Sequence, residues 1–267
     1  MNKLLVECVT AAGRLLVEHQ ANLGAVTRKE SHGSIVTAAD LASERLISER
    51  ISQRFPEHNL LGEETGFQQK GSEFTWVIDP LDGTSNYAAG LPWFGVLLAL
   101  LRGAQPVLGA MHLPSLHILL LAELGKGVTC AGQPVHLSAE SDLANVLCSF
   151  GLDPSSDPAV TRQQGTLLAN LASRARGLRA TNCLLDASLV LRGKFGVWLN
   201  NACKIWDIAP MCLMFQETGA RFTDWGGQPI TLDLSPTGWT RKYAVLAANP
   251  DLHRQTLALL EGCPEKV

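Results

Sequence analysis

The stretch FTWVIDPLDGTSNY, Phe74 to Tyr87, joins an apolar run suited to a buried strand to two aspartates, Asp79 and Asp82, three residues apart. Asp-Pro favours an extended residue followed by a bend, and Asp-Gly is a common turn dipeptide, so a plain turn explains one aspartate. Two carboxylates projecting from one rigid loop repel each other unless a cation sits between them. Oxygen donors of this kind suit a hard divalent ion such as magnesium, manganese or calcium, and the spacing misses the EF-hand pattern. A metal therefore ranks ahead of a turn alone. Beyond the pair, GTSN is able to open a helix whose free N–H groups face an anion. Metal and phosphate would then share one site.

A second acidic pair lies outward of the first. Glu63 and Glu64, in NLLGEETG, also end a short apolar strand. Taken alone, a solvated acidic loop explains them at least as well as a ligand does. If NLLG lies beside FTWVID in one sheet, both pairs emerge at the same sheet end, where one metal draws on both. Asp207, in KIWDIAPMCLMFQETGA, reads as the N-cap of a helix ending at Gly219, with Trp206 and Met211 at staple positions and Pro210 in the first turn. Capping suffices there, so a ligand role stays open. Asp40 is open in the same way: TAAD sets Thr37 and Asp40 at capping-box spacing before Ile47, Ile51 and Phe55.

The background against which these carboxylates stand is quiet. Of 267 residues 46% are apolar, enough for a sizeable core in one large domain or two closely packed subdomains. Only 18% are charged, and the net charge of −3 offers no basic face of the kind nucleic acid demands. The seven cysteines are odd in number and none shares C-x-x-C spacing, which points to free thiols in a reducing, cytoplasmic setting. The N-terminus carries Glu7 inside its apolar stretch, with Leu4, Cys8, Ala12 and Leu15 at helical spacing, and reads as an amphipathic helix rather than a signal peptide. The run FGVLLALL from Phe94 falls far short of the ~20 residues that cross a bilayer, so no membrane partner is expected. Phosphate-loop, H-E-x-x-H, G-x-S-x-G and G-x-G-x-x-G patterns are missing. His112 and His117 flank a turn and read as surface or satisfied histidines.

Helical patterns over 3–20 and 40–54 give way to the strands NLLG, FTWVID, FGVLLALL, PVLGAMHL and HILLLAEL and to a turn-rich GKGVTCAGQPV. After the loop GLDPSSDP come helices over 158–174, near 184–193 and over 208–218, the segment GVWL and the strand YAVLAAN. Strand runs framed by helices imply an α/β or α+β protein with layered sheets. It is read as a single unit over 1–267, divided around 138–150 into an N-terminal α+β subdomain (about 1–140) and a C-terminal α/β subdomain (about 141–267).

Together GEE, WVIDPLDGTSN and WDIAP resemble the inositol monophosphatase family of lithium-sensitive, magnesium-dependent sugar phosphatases. KESHGSIVTAAD is similar to that family's metal loop and GKGVTCAGQPV to its glycine-rich hairpin, which carries the likeness through most of the chain. The resemblance implies a layered αβαβα fold, a homodimer, and hydrolysis of a small phosphate monoester on two to three Mg2+ ions, with no nucleic acid required. It implies that Glu63, Asp79 and the Leu81 carbonyl hold one magnesium, that Asp79, Asp82 and Asp207 hold a second, and that Glu63 helps hold a weaker third near Lys29. Thr84, linked to Asp40, would orient the attacking water, with Glu63 completing the catalytic set. The N–H groups of Gly83 and Thr84 would receive the phosphate, and Thr181, Asn182, Asn200 and Asp207 would meet the rest of the substrate.

That substrate wall departs from the family. LRATN stands where relatives show R-x-x-G-S, so Leu178, Thr181 and Asn182 replace the Arg, Gly and Ser or Thr positions. Asn200 replaces a Glu that commonly holds a sugar hydroxyl, and Ser34 an aspartate. An inositol or related polyol phosphate is the leading expectation, while drift in a permissive pocket explains the changes equally well. The same metal centre on histidinol phosphate, a sugar bisphosphate or a 3′-phosphonucleotide is the alternative. The last is least favoured, because Ser85-Asn86 stands where that branch usually has Lys-Glu. A non-catalytic binding protein on this fold is the rival from another class, and degraded ligands would be its mark.

Overall fold

The computed structural model describes residues 1–21, 27–28, 35–36, 38–153 and 155–260; Lys29, Ser34 and Thr37 lie outside them. The chain opens with α1 (Asn2–Gln20), a short ribbon of β1 (Thr27–Arg28) and β2 (Ile35–Val36), and α2 (Ala38–Arg54). Then come β3 (Asn59–Gly62), β4 (Gly66–Gln68), β5 (Phe74–Asp82) and the short helix α3 (Thr84–Ala88). A meander follows through β6 (Gly95–Arg102), β7 (Gln105–Leu113), β8 (Ile118–Glu123), β9 (Gly127–Cys130) and β10 (Gln133–Pro134). The rest is β11 (Leu147–Gly151), α4 (Pro158–Arg174), β12 (Gly177–Arg179), α5 (Leu184–Leu191) and β13 (Val197–Cys203). It ends with α6 (Ile205–Glu217), β14 (Arg221–Thr223), β15 (Tyr243–Ala248) and α7 (Pro250–Leu260).

Two sheets result. One has eight strands in the order β10-β9-β8-β7-β6-β5-β3-β4, and the other five in the order β12-β11-β13-β15-β14. In the larger sheet β3 runs parallel to β5 while the β5–β9 neighbours are antiparallel. The strand period of two sorts its side chains between two cores. Trp76, Ile78 and Leu98 point to one face and pack with Leu5, Leu16, Ile47 and Ile51 of α1 and α2. Val77, Leu97 and Met111 point to the other, where they meet Leu184 of α5, Ile208 of α6, and Trp198 and Val245 of the second sheet. The far face of that sheet buries Phe150, Val197 and Leu246 under Leu167 of α4 and Leu252 of α7. The order is helix, sheet, helix, sheet, helix, the layered αβαβα fold expected. Strands covered on both faces read as unbroken apolar runs, which explains FTWVID and FGVLLALL.

Local expectations shift in three places. The stripe of α1 is rotated: Leu5, Cys8, Val9, Ala12, Gly13 and Leu16 are buried, whereas Leu4 and Leu15 stay on its flanks. Gly13 marks the tightest approach, since a Cβ there would meet His112 Nδ1 at 2.5 Å. His112 Nδ1 donates to the Val9 carbonyl at 2.9 Å, tying α1 to β7 as a satisfied histidine. In addition, the cap of α6 lies three residues before the expected one. Lys204 in extended backbone is the cap, and Asp207 in the third helical position reaches back to accept the Lys204 N–H at 2.7 Å. Pro210 accordingly lies inside the helix rather than in its first turn. Gly109 of β7 makes room for it, because a Cβ there would sit 3.3 Å from Pro210. The closing helix α7 and the strand β11 are not among the elements expected, although Asn249 and Pro250 mark the start of α7, Asn249 Oδ1 accepting the Leu252 N–H at 2.9 Å.

Candidate active site

Parallel pairing sets Gly62 of β3 beside Ile78 of β5, and the Glu63 N–H continues the ladder by donating to the Ile78 carbonyl at 3.2 Å. The GEE and DPLD segments therefore leave the sheet at the same end, as inferred from their sequence. The first turns of α2 hold both. Asp40, Ser43, Glu44, Ile47 and Ile51 are the buried stripe of that helix, polar at its start and apolar beyond. Glu44 accepts the N–H groups of Glu64 and Thr65 at 2.8 and 2.9 Å, shaping the acidic turn. Gly62 has to be a glycine for this, because a Cβ there would lie 2.3 Å from Glu44 Oε1. Ser43 Oγ donates to the Pro80 carbonyl at 2.8 Å.

Asp79 alternates with Trp76 and Ile78 and shares the face of Val77, so it is buried toward the inner helix layer that contains α6. The ladder slips between Asp79 and Asp82. Asp82 Oδ1 accepts the Leu184 N–H at 2.7 Å, binding the loop to the start of α5. One carboxylate oxygen from each of Asp79, Asp82 and Asp207 lies within 4.8 Å of the others. None of the three is ion-paired to a lysine or arginine among the described residues. Burial, followed by the charges of Glu63, Asp82 and Asp207, pushes the Asp79 carboxyl well above its ordinary range. Enclosure raises Asp82 to about 7 against the pull of the Leu184 N–H, with Glu63 adding to the rise. Enclosure and the charge of Asp82 likewise raise Asp207 to about 7. Three such groups repel one another when ionised, and a hard divalent cation among their oxygens removes that repulsion. The donor set thus fits such an ion.

The neighbouring groups are also fixed. The Leu81 N–H donates to Asp79 Oδ1 at 3.1 Å, and the Leu81 carbonyl accepts the Thr84 hydroxyl at 3.0 Å. That hydroxyl also lies 3.3 Å from Asp40 Oδ1. Gly83, with φ 85, caps α3 in a conformation that favours glycine, and a Cβ there would lie 2.6 Å from the Trp93 carbonyl. Glu63 stands outside the three-aspartate group yet near enough to raise both Asp79 and Asp82.

The opposite wall is built of amides. Buried Asp186 accepts the N–H groups of Thr181 at 3.0 Å and Asn182 at 3.0 Å, holding Asn182 at φ 57. Asn86 Nδ2 donates to the Thr181 carbonyl at 2.8 Å. Asn182 Nδ2 donates to Asp153 Oδ1 at 3.1 Å, and Asn200 Oδ1 accepts the Ala202 N–H at 2.8 Å. Between the walls lies a cavity of about 100 Å³ bordered by Asp82, Asp153, Asn182, Asn200 and Asp207. Thr181 is set back from it, its hydroxyl 3.3 Å from Cys183 Sγ. Three carboxylates here escape the sequence reading: Glu44, Asp153 and Asp186. The spacing of Asp40, Ser43, Glu44 and Ile47 on one helix face was the available signal for Glu44. Asp153 lay in a loop legible only as loose composition.

The chain matches the model of the inositol monophosphatase family over residues 1–265. It is 30% identical to the inositol-1-monophosphatase of Caulobacter vibrioides, with 97% of this chain and 100% of that one covered. To the Nus factor SuhB of Pasteurella multocida it is 31% identical over 75% of this chain and 76% of that one. The solved structure of a Thermotoga maritima IMPase superposes with a TM-score of 0.84 at 27% identity, covering 96% of this chain and 94% of that one.

Proposed function

Since this chain belongs to the inositol monophosphatase family and is a phosphatase, we propose that it hydrolyses a small polyol or related phosphate monoester with two to three Mg2+ ions. One observation carries this reading: carboxylates from the last residues of one strand, Asp79 and Asp82, and from a helix 125 residues beyond Asp82 converge within 4.8 Å with no ion-paired lysine or arginine among the described residues. Asp79, Asp82 and Asp207 would hold one ion, Glu63, Asp79 and the Leu81 carbonyl another, and Glu63 would help with a third. Bound there, the ions supply positive charge to the nonbridging phosphate oxygens, make water more acidic and stabilise the leaving oxygen.

The protein's own groups do the positioning. Asp40 and the Leu81 carbonyl compete for the single Thr84 proton, so the lone pairs of that hydroxyl face outward to orient a water. Glu63 would take up the proton that this water loses. The N–H groups of Gly83 and Thr84, at a helix start that leaves them without intrahelical acceptors, would receive the phosphate oxygens. Asn182 and Asn200 would meet the alcohol side of the ester. A cytoplasmic homodimer belongs to the same reading as an implication of the family; no helix among the described residues is long and apolar enough to cross a membrane.

Phosphate release from a panel of esters, with and without magnesium, tests this directly. Turnover that requires magnesium supports it. A role in contacting a macromolecule is the second reading, raised by the name of the Pasteurella relative. The undegraded carboxylate set supports turnover instead. No turnover on any ester, joined to tight capture of a macromolecular partner, would reverse the order.

A further inference from the structure

The wall facing the carboxylates offers few free groups, and their sign is uneven. Asn200 spends its oxygen on the Ala202 N–H, which leaves its amide nitrogen as a donor. Asn182 spends an amide hydrogen on Asp153 Oδ1. The Asp153 backbone is anchored, its carbonyl accepting from Gln164 Nε2 at 3.2 Å, and the Asn182 amide holds the half-exposed carboxylate at the edge of the cavity it borders. Its second oxygen, Oδ2, has no protein donor among the described residues. No lysine or arginine borders the cavity among the described residues. The basic groups nearest in sequence are engaged elsewhere: Lys204 Nζ donates to the Thr240 carbonyl and Arg179 Nη1 to the Leu178 carbonyl.

Resting on the phosphatase reading above, we infer that Asp153 selects the alcohol half of the ester. It favours an alcohol that presents hydroxyl or ammonium donors and carries no second negative charge, and it disfavours one bearing a further phosphate. The physical reason is the asymmetry of a carboxylate: it accepts only, strongly from a charged or polar donor, and it repels an anion that no nearby cation neutralises. The scissile phosphate would be spared this repulsion because Asp82 and Asp207, which border the same cavity, would hold the cations that neutralise it. Close packing also holds the Asn200 and Asn182 amides beside it, since a Cβ on Gly151 would lie 2.4 Å from Asn200 Nδ2 and 3.2 Å from Asn182 Oδ1.

The test compares kcat/KM for four esters: inositol 1-phosphate, histidinol phosphate, fructose 1,6-bisphosphate and a 3′-phosphonucleotide. The native chain should prefer the first or second over both polyanionic esters by about tenfold or more. Asp153→Asn, which keeps an oxygen for Asn182 and loses the charge, should shrink that preference about tenfold, chiefly through KM. Asp153→Glu should restore most of it, and Asp153→Lys should turn it toward the bisphosphate. A larger loss on histidinol phosphate than on inositol phosphate assigns the donor as ammonium; an equal or smaller one assigns it as hydroxyl. An unchanged ratio in Asp153→Asn, or a loss that Asp153→Glu does not recover, overturns the inference while the phosphatase reading stands. If the native chain with magnesium releases phosphate from no ester at all, the phosphatase reading fails and this one falls with it.

Discussion

The two walls of the cavity are held by opposite means. On one side, Asp79, Asp82 and Asp207 each receive a backbone N–H at 2.7–3.1 Å and crowd their remaining oxygens together. On the other, Asn182 and Asn200 are fixed by single amide bonds, and Thr181 is set back. An amide satisfies itself in several arrangements, whereas three enclosed carboxylates are stable as anions only around a cation. The first wall therefore tolerates almost no change. The second can alter its residues while the chemistry persists, and Asn182 and Asn200, read from the sequence as departures, border the cavity there.

The sharpest break in that contrast is Asp79→Asn. The amide is nearly the same size and removes the charge that the two proposed ion positions would share, so turnover should fall at least a thousandfold, about 4 kcal/mol of lost transition-state stabilisation. Circular dichroism should show the fold intact, because removing an unneutralised buried charge does not weaken the apo-protein. Turnover within tenfold of native would remove Asp79 from the site.

The pH behaviour of the metal-free protein follows in size. Asp82 and Asp207 keep their protons to about pH 7 when folded, and Asp79 to a pH above its ordinary range, whereas the unfolded chain releases them near pH 4. Between these values the folded state binds more protons, so the contribution of these three groups to stability is fully present below about pH 4 and is lost as pH rises toward 7. The Tm of protein stripped of metal should drop by several degrees between pH 5 and pH 7.5. Magnesium should cancel the drop by offsetting the repulsion among the anions. A Tm that rises over this interval, or one indifferent to magnesium at pH 7.5, would contradict the shared cation site.

Glu44→Gln probes how the first wall is supported. A carboxylate accepts both turn N–H groups, while the amide turns an NH2 toward one of them, leaving a buried donor unpaired at a cost of about 1–3 kcal/mol. Glu63 rides on that turn. Activity should fall by more than tenfold even though Glu44 touches no substrate, and a thermal melt should register the lost stability. Activity equal to native would mean that the turn holds its shape without Glu44.

The same contrast governs what could be read beforehand. Carboxylates at strand ends stand out because nothing else in a turn calls for two negative charges, so Asp79, Asp82 and the link to Glu63 were legible. Asp207 was legible as a helix-start residue but misplaced by three positions. A capping residue and a residue that reaches back from the first turn share the same sequence signature, and only the path out of β13 distinguishes them. Asp186 and Asp153 were invisible for a different reason. Each is defined by a partner brought near through packing, Asp186 by the turn it folds under and Asp153 by Asn182, and neither sits in a pattern with a local physical cause.

Asn200→Ala should have the smallest effect, and it tests the tolerant side. The substitution removes the acceptor of the Ala202 N–H, a part-buried bond worth about 1 kcal/mol, and one donor to the alcohol half of the ester. Because that bond is made alike in the ground and transition states, the loss should appear as a KM raised several-fold with kcat within about twofold. The vacated volume lies beside Gly151, so Gly151→Ala, which clashes with Asn200 Nδ2 in the native chain, should become tolerable in the Asn200→Ala background. A double-mutant cycle of thermal stabilities reads this coupling. Strict additivity would show that the amide wall is no better coupled than two distant surface positions, whereas a fall in kcat comparable to that of Asp79→Asn would erase the distinction between the walls.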